Sequence, residues 1–201
     1  RYRSSAASDV YKRQLMLKAG KDPREVLKEI SDIFPFHASV SAEVVGDTVE
    51  EMLEMADDYI ELGPNITIKV PLTPEGLKVC KDLSSDDVAV NVTLCFSTAQ
   101  AILAAKAGAT YVSPFVGRVY DQQFDGIQLI EEISDVYATH KQKTQILAAS
   151  IRDVHQVASC FRVGADICTI PDKIFSGMYK HILTDQGLKK FDEDWSKLVG
   201  G

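Results

Sequence analysis

The sequence has no excess of basic residues: 22 Lys and Arg stand against 29 Asp and Glu, a net charge of −7. Bulk attraction to nucleic acid or another polyanion is therefore not expected, although a few local cations suffice to hold one phosphate. There is no apolar run near the roughly 18–20 residues that a membrane span needs, so no transmembrane helix and no membrane partner are expected. There is no CxxC pair, and none of the four His lies at a zinc-ligand spacing from a Cys, so no metal site is expected. Neither GxGxxG nor GxxxxGK occurs, which argues against the open, doubly wound sheets that carry such loops.

What is present fits a folded α/β chain. Hydrophobic residues make up 45% and charged residues 25% of 201 positions, the balance of a globular protein with a real core. The four cysteines, Cys80, Cys95, Cys160 and Cys168, each lie in an apolar stretch. There a free thiol behaves as a small core residue, and a reducing cytoplasm is the natural compartment. Arg1 to Gln14, RYRSSAASDVYKRQ, has neither an apolar signal core nor a helix or strand period, and reads as a foreign or disordered segment.

From Asp22 onward the chain alternates. Asp22-Pro23 is a helix start. Strands are predicted over Ala38–Val45, Ile66–Val70, Val88–Leu94, Tyr111–Ser113, Gln145–Ala149 and Ile167–Ile170. Helices are predicted over Thr48–Leu62, Pro74–Leu83, Ser97–Ala107, Gly126–His140, Asp153–Val163, Asp172–Leu183 and Gln186–Leu198. Short, apolar, β-branched strands are expected of parallel strands buried on both faces. The repeat of roughly 22–34 residues suits the unit of a (β/α)₈ TIM barrel, about 30 residues. Six strands are two short of closure, so a single barrel domain over residues 15–201 that lacks its first two strands is the expected fold.

Polar residues gather where a barrel keeps its chemistry, at the C-terminal strand ends. They are Glu43, Lys69, Asn91, Thr93, Ser113 with Arg118 beyond it, and Ser150 with Arg152. Lys69 stands inside the apolar run ITIKVPLT. Desolvation favours the neutral amine, a nucleophile toward carbonyl carbon; the alternative is a structural salt bridge with Glu43. Arg118 and Arg152, each near a serine, suit a phosphate, or are ordinary surface arginines. Glu43 is either a general acid/base or a structural partner. Thr93 either holds a water or packs as a β-former. His37, His140, His155 and His181 form no relay and read as structural or surface residues.

Several segments together resemble the transaldolase family, in particular its small subfamily, which also includes fructose-6-phosphate aldolase. ITIKVPLTPEG, Ile66 to Gly76, resembles the Schiff-base lysine motif; NVTLCFS, Asn91 to Ser97, the strand with the Asn and water-holding Thr. SPFVGR, Ser113 to Arg118, and AASIR, Ala148 to Arg152, resemble the two phosphate-binding segments. Glu43, where the aldolase branch has Gln, and Phe115, where it has Tyr, match the transaldolase pattern. So does Arg152. The family's DTA and TTNPSL motifs are absent, and Leu15 to Gly20 looks like the sequence that follows the second of them. Arg1–Gln14 therefore reads as foreign sequence joined where two strands and a catalytic Asp were lost.

The resemblance implies a TIM barrel and a transferase of carbohydrate metabolism in the pentose phosphate pathway. It needs no cofactor, and its partners are small sugar phosphates. Lys69 would form the imine, with Glu43 and Thr93 activating water. Asn91, Ser113, Phe115, Arg118, Ser150 and Arg152 would contact the substrate. The resemblance also implies a homo-oligomer assembled through the C-terminal helix, where Phe191 and Trp195 share one side; packing of that helix on its own barrel is the alternative. Two other readings remain at this point: an aldolase that releases free dihydroxyacetone, and an inactive truncated barrel that only binds sugar phosphate.

Overall fold

A computed structural model of the chain describes residues 20, 22–34 and 38–199. The Arg1–Gln14 segment and His37 lie outside the described residues. The first described helix is α1 (Pro23–Ile33), capped by the Asp22 carboxylate, which accepts from the Arg24 N–H. Then come β1 (Val40–Glu43), α2 (Val49–Ile60), β2 (Ile66–Pro71), α3 (Pro74–Ser85) and β3 (Val90–Cys95). They are followed by α4 (Thr98–Lys106), β4 (Tyr111–Pro114), α5 (Val116–Asp121), α6 (Gly126–Thr139), β5 (Gln145–Ala148) and α7 (Val154–Arg162). The last elements are β6 (Ile167–Cys168), α8 (Asp172–Gly177) and α9 (Ile182–Val199).

The six strands form one parallel sheet in sequential order, β1 to β6, curled into a half-barrel. Sequential order with helical crossovers is the β/α-barrel pattern, in which each strand lies beside its predecessor. The helices start where the sequence supplies caps. Thr48 and Glu51 form a capping box on α2, and Thr73, Ser97, Asp125 and Asp153 each accept from a first-turn N–H of α3, α4, α6 and α7. These side chains satisfy donors that have no partner inside the helix.

The core is the layer between sheet and helices. Val40, Ala42, Ile68, Val70, Val90, Val92, Val112 and Ile146 point from the strands into it, against Met52, Val79, Ala101 and Ile130 of the helices. Cys80, Cys95 and Cys160 are buried and Cys168 half-buried, all as free thiols. Burial pushes the Cys80 and Cys95 thiols up to about 12. The Cys160 and Cys168 thiols hydrogen-bond each other, which pulls Cys160 down and pushes Cys168 up.

Four expectations need correction. Strands β1 to β3 are apolar on one face only; Ser41, Glu43, Thr67, Lys69, Asn91 and Thr93 alternate with the core residues. The short helix α5 was not expected, because its six residues carry no side-chain cap signal. The helix predicted over Asp172–Leu183 stops at Gly177, and the last helix starts at Ile182. There His181 Nδ1 accepts from the Leu183 N–H at 3.2 Å, so the imidazole acts as a cap. Finally, α9 buries none of its residues, so Phe191 and Trp195 do not pack on the barrel.

At pH 8 a thiol with a pKa of about 12 is ionised in only about one molecule in ten thousand. Cys80 and Cys95 are therefore expected to resist iodoacetamide in the native protein and to react after unfolding in urea. Peptide mass mapping checks this, and native labelling at the unfolded rate would refute it.

Candidate active site

Successive strand residues face opposite sides of a sheet. With one side covered by helices, every second residue faces the concave side. On β1 to β4 that set is polar: Ser41 and Glu43, Thr67 and Lys69, Asn91 and Thr93, Ser113. On β4 to β6 it is mostly apolar: Tyr111, Phe115, Leu147, Ala149 and Ile167 form a cluster separate from the main core. The concave face is thus half polar and half apolar.

The strand register sets the polar half. Glu43 pairs with Lys69, Lys69 with Asn91, and Asn91 with Tyr111. The half-buried Lys69 therefore stands at one height between a carboxylate and an amide, one strand spacing (about 4.8 Å) away on each side. Deeper along β2, Thr67 is hydrogen-bonded to Ser39, with the two hydroxyl oxygens 2.6 Å apart. Toward the strand ends, the Ser113 hydroxyl donates to Asn91 Oδ1 at 2.7 Å.

Asn91 and Thr93 are buried, and Asn91 Nδ2 and Thr93 Oγ1 have no hydrogen-bond partner among the described residues. Buried polar atoms without partners are costly and uncommon. These two are the atoms of the face that a polar ligand would satisfy.

The backbone at the rim is unusual in two places. Leu94 follows Thr93 at φ 62°, where the β3–β4 register also shifts. Ser150 follows β5 at φ 60°. A left-handed conformation costs an L-residue roughly 1–2 kcal/mol, and such strain clusters at functional sites. Phe96 and Phe115 meet edge to face at 5.7 Å, and the Arg118 guanidinium lies 4.9 Å from the Phe115 ring centroid.

The two segments read as phosphate-binding come together. The Val116 N–H donates to the Ala149 carbonyl at 3.0 Å. A Cβ on Gly117 would fall 2.1 Å from the Ser150 carbonyl oxygen, 2.7 Å from Arg152 Nε and 3.0 Å from Ser150 Oγ. Glycine is what lets α5 lie this close to Ser150 and Arg152. The Arg152 guanidinium is held by Asp121 through two parallel hydrogen bonds. Those bonds keep the Asp121 carboxyl below the usual carboxylate range, helped by the charges of Arg152 and Arg118.

The structure thus brings Glu43, Lys69, Asn91, Thr93, Ser113 and Phe115 onto one face, with Arg118, Ser150 and Arg152 beyond the ends of β4 and β5. Among the histidines, His155 Nε2 lies 3.4 Å from Ser159 Oγ and His140 caps the end of α6. Sequence reading missed Ser41, Thr67, Tyr111 and Asp121. Ser41 and Thr67 carry a signal in the two-residue alternation of Val-Ser-Ala-Glu and Ile-Thr-Ile-Lys, and Tyr111 in that of Tyr-Val-Ser. Asp121 carries none, since its partner lies 31 residues away. Among the described residues, no group of three or more His, Cys, Asp or Glu is arranged to hold a metal ion. No described helix is long and apolar enough to cross a membrane.

The chain matches the family model described as Transaldolase/Fructose-6-phosphate aldolase over residues 23–201. It is 52% identical over 183 residues to a protein of Paracoccus denitrificans (strain Pd 1222) named "Probable transaldolase", covering 91% of this chain and 83% of that one. A protein of Cereibacter sphaeroides (strain ATCC 17025 / ATH 2.4.3) with the same name is 50% identical, with the same coverage. A third of that name, from Caulobacter vibrioides (strain NA1000 / CB15N), is 46% identical over 182 residues, 90% of this chain and 83% of the relative.

The strain at Leu94 can be tested directly. Leu94→Gly should change stability by less than about 1 kcal/mol, since relief at positive φ offsets the larger entropy of the unfolded chain. Leu94→Val should lose roughly 1–2 kcal/mol, because a β-branched residue fits that backbone worse. Urea unfolding measures both, and a valine variant as stable as the parent would contradict the argument.

Proposed function

The chain belongs to the Transaldolase/Fructose-6-phosphate aldolase family, and from that premise we propose that it transfers a dihydroxyacetone unit between sugar phosphates through a Schiff base on Lys69. The observation that carries this reading is the place of Lys69, level with Glu43 and Asn91 on the polar half of the concave face. An amine between a carboxylate and an amide has the groups that imine formation requires: a nucleophile, a proton carrier and a hydroxyl-binding partner.

The proposed donor is a ketose phosphate such as fructose 6-phosphate or sedoheptulose 7-phosphate. Lys69 Nζ attacks its C2 carbonyl, and the carbinolamine loses water to form the imine. The C3–C4 bond then breaks, and its electron pair passes to the protonated imine. An aldose phosphate leaves, and the dihydroxyacetone unit stays on Lys69 until a second aldose phosphate accepts it. Glu43 and Thr93 activate the water that forms and hydrolyses the imine. The acceptor of the C4 hydroxyl proton is assigned to no residue of this chain, whose sequence holds no DTA motif.

Asn91 and Ser113 hold substrate hydroxyls, and an Asn91 Nδ2 with no partner among the described residues supports that role. Phe115 lines the apolar half, and Arg118, Ser150 and Arg152 hold the distal phosphate. Apart from that C4 proton transfer, each step is assigned to groups of one barrel domain over residues 15–201. The place proposed for the reaction is the pentose phosphate pathway of the cytoplasm.

The test is borohydride trapping. Incubation with fructose 6-phosphate, reduction and peptide mapping should place the adduct on Lys69, and Lys69→Ala should abolish it. No adduct, or one on another lysine, would overturn the reading. Release of free dihydroxyacetone without an aldose acceptor would move it to the aldolase branch. Phosphosugar binding that survives Lys69→Ala, with no turnover by the parent chain, would leave a binding protein.

We also propose a homo-oligomer that buries α9. That helix exposes Leu188, Phe191, Trp195 and Leu198 at 55–78%, more apolar surface than a lone helix leaves in water. Sedimentation velocity should show a species larger than the monomer, and Phe191→Glu with Trp195→Glu should dissociate it. A monomeric parent chain at micromolar concentration would refute this.

A further inference from the structure

Among the described residues, Asp121 is the one carboxylate at the rim that grips a guanidinium by both ends of its fork. It comes from the last residue of α5, and Arg152 comes from the segment after β5, 31 positions later. Both side chains are about half exposed. An exposed ion pair adds little stability, so holding the fold together is a poor account of this geometry.

Its effect on Arg152 is larger. A free arginine has many rotamers, and freezing them on a ligand weakens binding at the moment it occurs. The two bonds to Asp121 freeze the guanidinium beforehand. They use one hydrogen on each terminal nitrogen, out of five N–H donors. Arg152 Nε sits beside Ser150 Oγ, both within 3.0 Å of where a Gly117 Cβ would be. The missing Cβ, the left-handed Ser150 and the Asp121 grip therefore set one arginine against one hydroxyl.

We propose that Asp121 is a positioning residue for the phosphate end of the site: it holds Arg152 end-on, so that the remaining donors and the Ser150 hydroxyl form a ready seat for a sugar phosphate. This rests on the reading of Arg152 as a phosphate ligand. A rival account is that Asp121 is an internal anion that competes with the phosphate for the same fork. The two differ in sign: loss of a positioning carboxylate weakens phosphate binding, and loss of a competitor strengthens it.

The experiment measures fructose 6-phosphate binding to the full chain by titration calorimetry in the parent, Asp121→Ala, Asp121→Glu, Arg152→Ala and the Asp121→Ala/Arg152→Ala double variant. Borohydride trapping of unphosphorylated dihydroxyacetone on Lys69 serves as the control. Asp121→Ala should raise Kd about tenfold, the lower end of the loss seen when the residue that orients a metal ligand is removed. Asp121→Glu should recover part of the loss. On the Arg152→Ala background the same change should add less than about twofold, because the interaction it serves is gone. Dihydroxyacetone trapping should stay within about twofold of the parent.

A Kd that is unchanged or lower in Asp121→Ala, equal losses for both ligands, or additive losses in the double variant would each overturn the proposal. If Arg152→Ala itself leaves Kd unchanged, the phosphate role of Arg152 fails and takes this inference with it. If Arg152→Ala weakens binding and Asp121→Ala does not, only the inference fails. No fructose 6-phosphate binding by the parent chain would overturn both.

Discussion

Everything at the candidate site depends on one constraint: a parallel sheet whose outer face is sealed by helices. Val40, Ala42, Ile68, Val70, Val90 and Val92 must meet those helices, because they are fully or almost fully buried in one core. A slip of one residue in any strand would turn valine and isoleucine inward and push Lys69 or Asn91 into the apolar layer. Burying an ammonium there is prohibitive unless it is paired. The hydrophobic effect on one face thus locks the polar order on the other. The Glu43–Lys69–Asn91 row is its direct product.

The rim obeys a different rule. Beyond the strand ends there is no ladder to fix position, so close approach and local pairing take over. Gly117 lets α5 touch the Ser150 segment, and Asp121 at the end of that helix takes hold of Arg152. Arg118 lies over Phe115, which stands at the apolar edge of the concave face. Cation, ring, hydroxyl and carboxylate are therefore linked across two crossovers. The strained backbones of Leu94 and Ser150 sit at the mouth of this arrangement, where folding energy is given up for side-chain placement.

The family to which the chain belongs frames these features but does not explain them. The match over residues 23–201 covers the whole described sheet. Within it, the concave face is split. Polar atoms line the Asn91–Thr93–Ser113 side, while carbon lines the Phe115 and Leu147 side. The helix α9 stands apart, with its apolar residues in solvent and none of them buried against the half-barrel.

Much of this was legible in the chain itself. Asp22-Pro23, the Thr48/Glu51 box, Thr73, Ser97, Asp125 and Asp153 mark helix starts that the structure keeps, since capping is a contact between near neighbours. The strands were legible from their β-branched residues, and Lys69 was conspicuous as a cation in an apolar run. What lay between the elements was not. The short α5, the break at Met178–His181 and the left-handed turns depend on packing rather than on any local period. The sequence alone determined which residues are polar, where the side-chain-capped helices begin and which strands exist, because those are set by neighbours along the chain. The tertiary structure decided that Glu43, Lys69 and Asn91 stand level and that Asp121 meets Arg152. Those pairings join residues that only the parallel register and the close fit at Gly117 bring within reach.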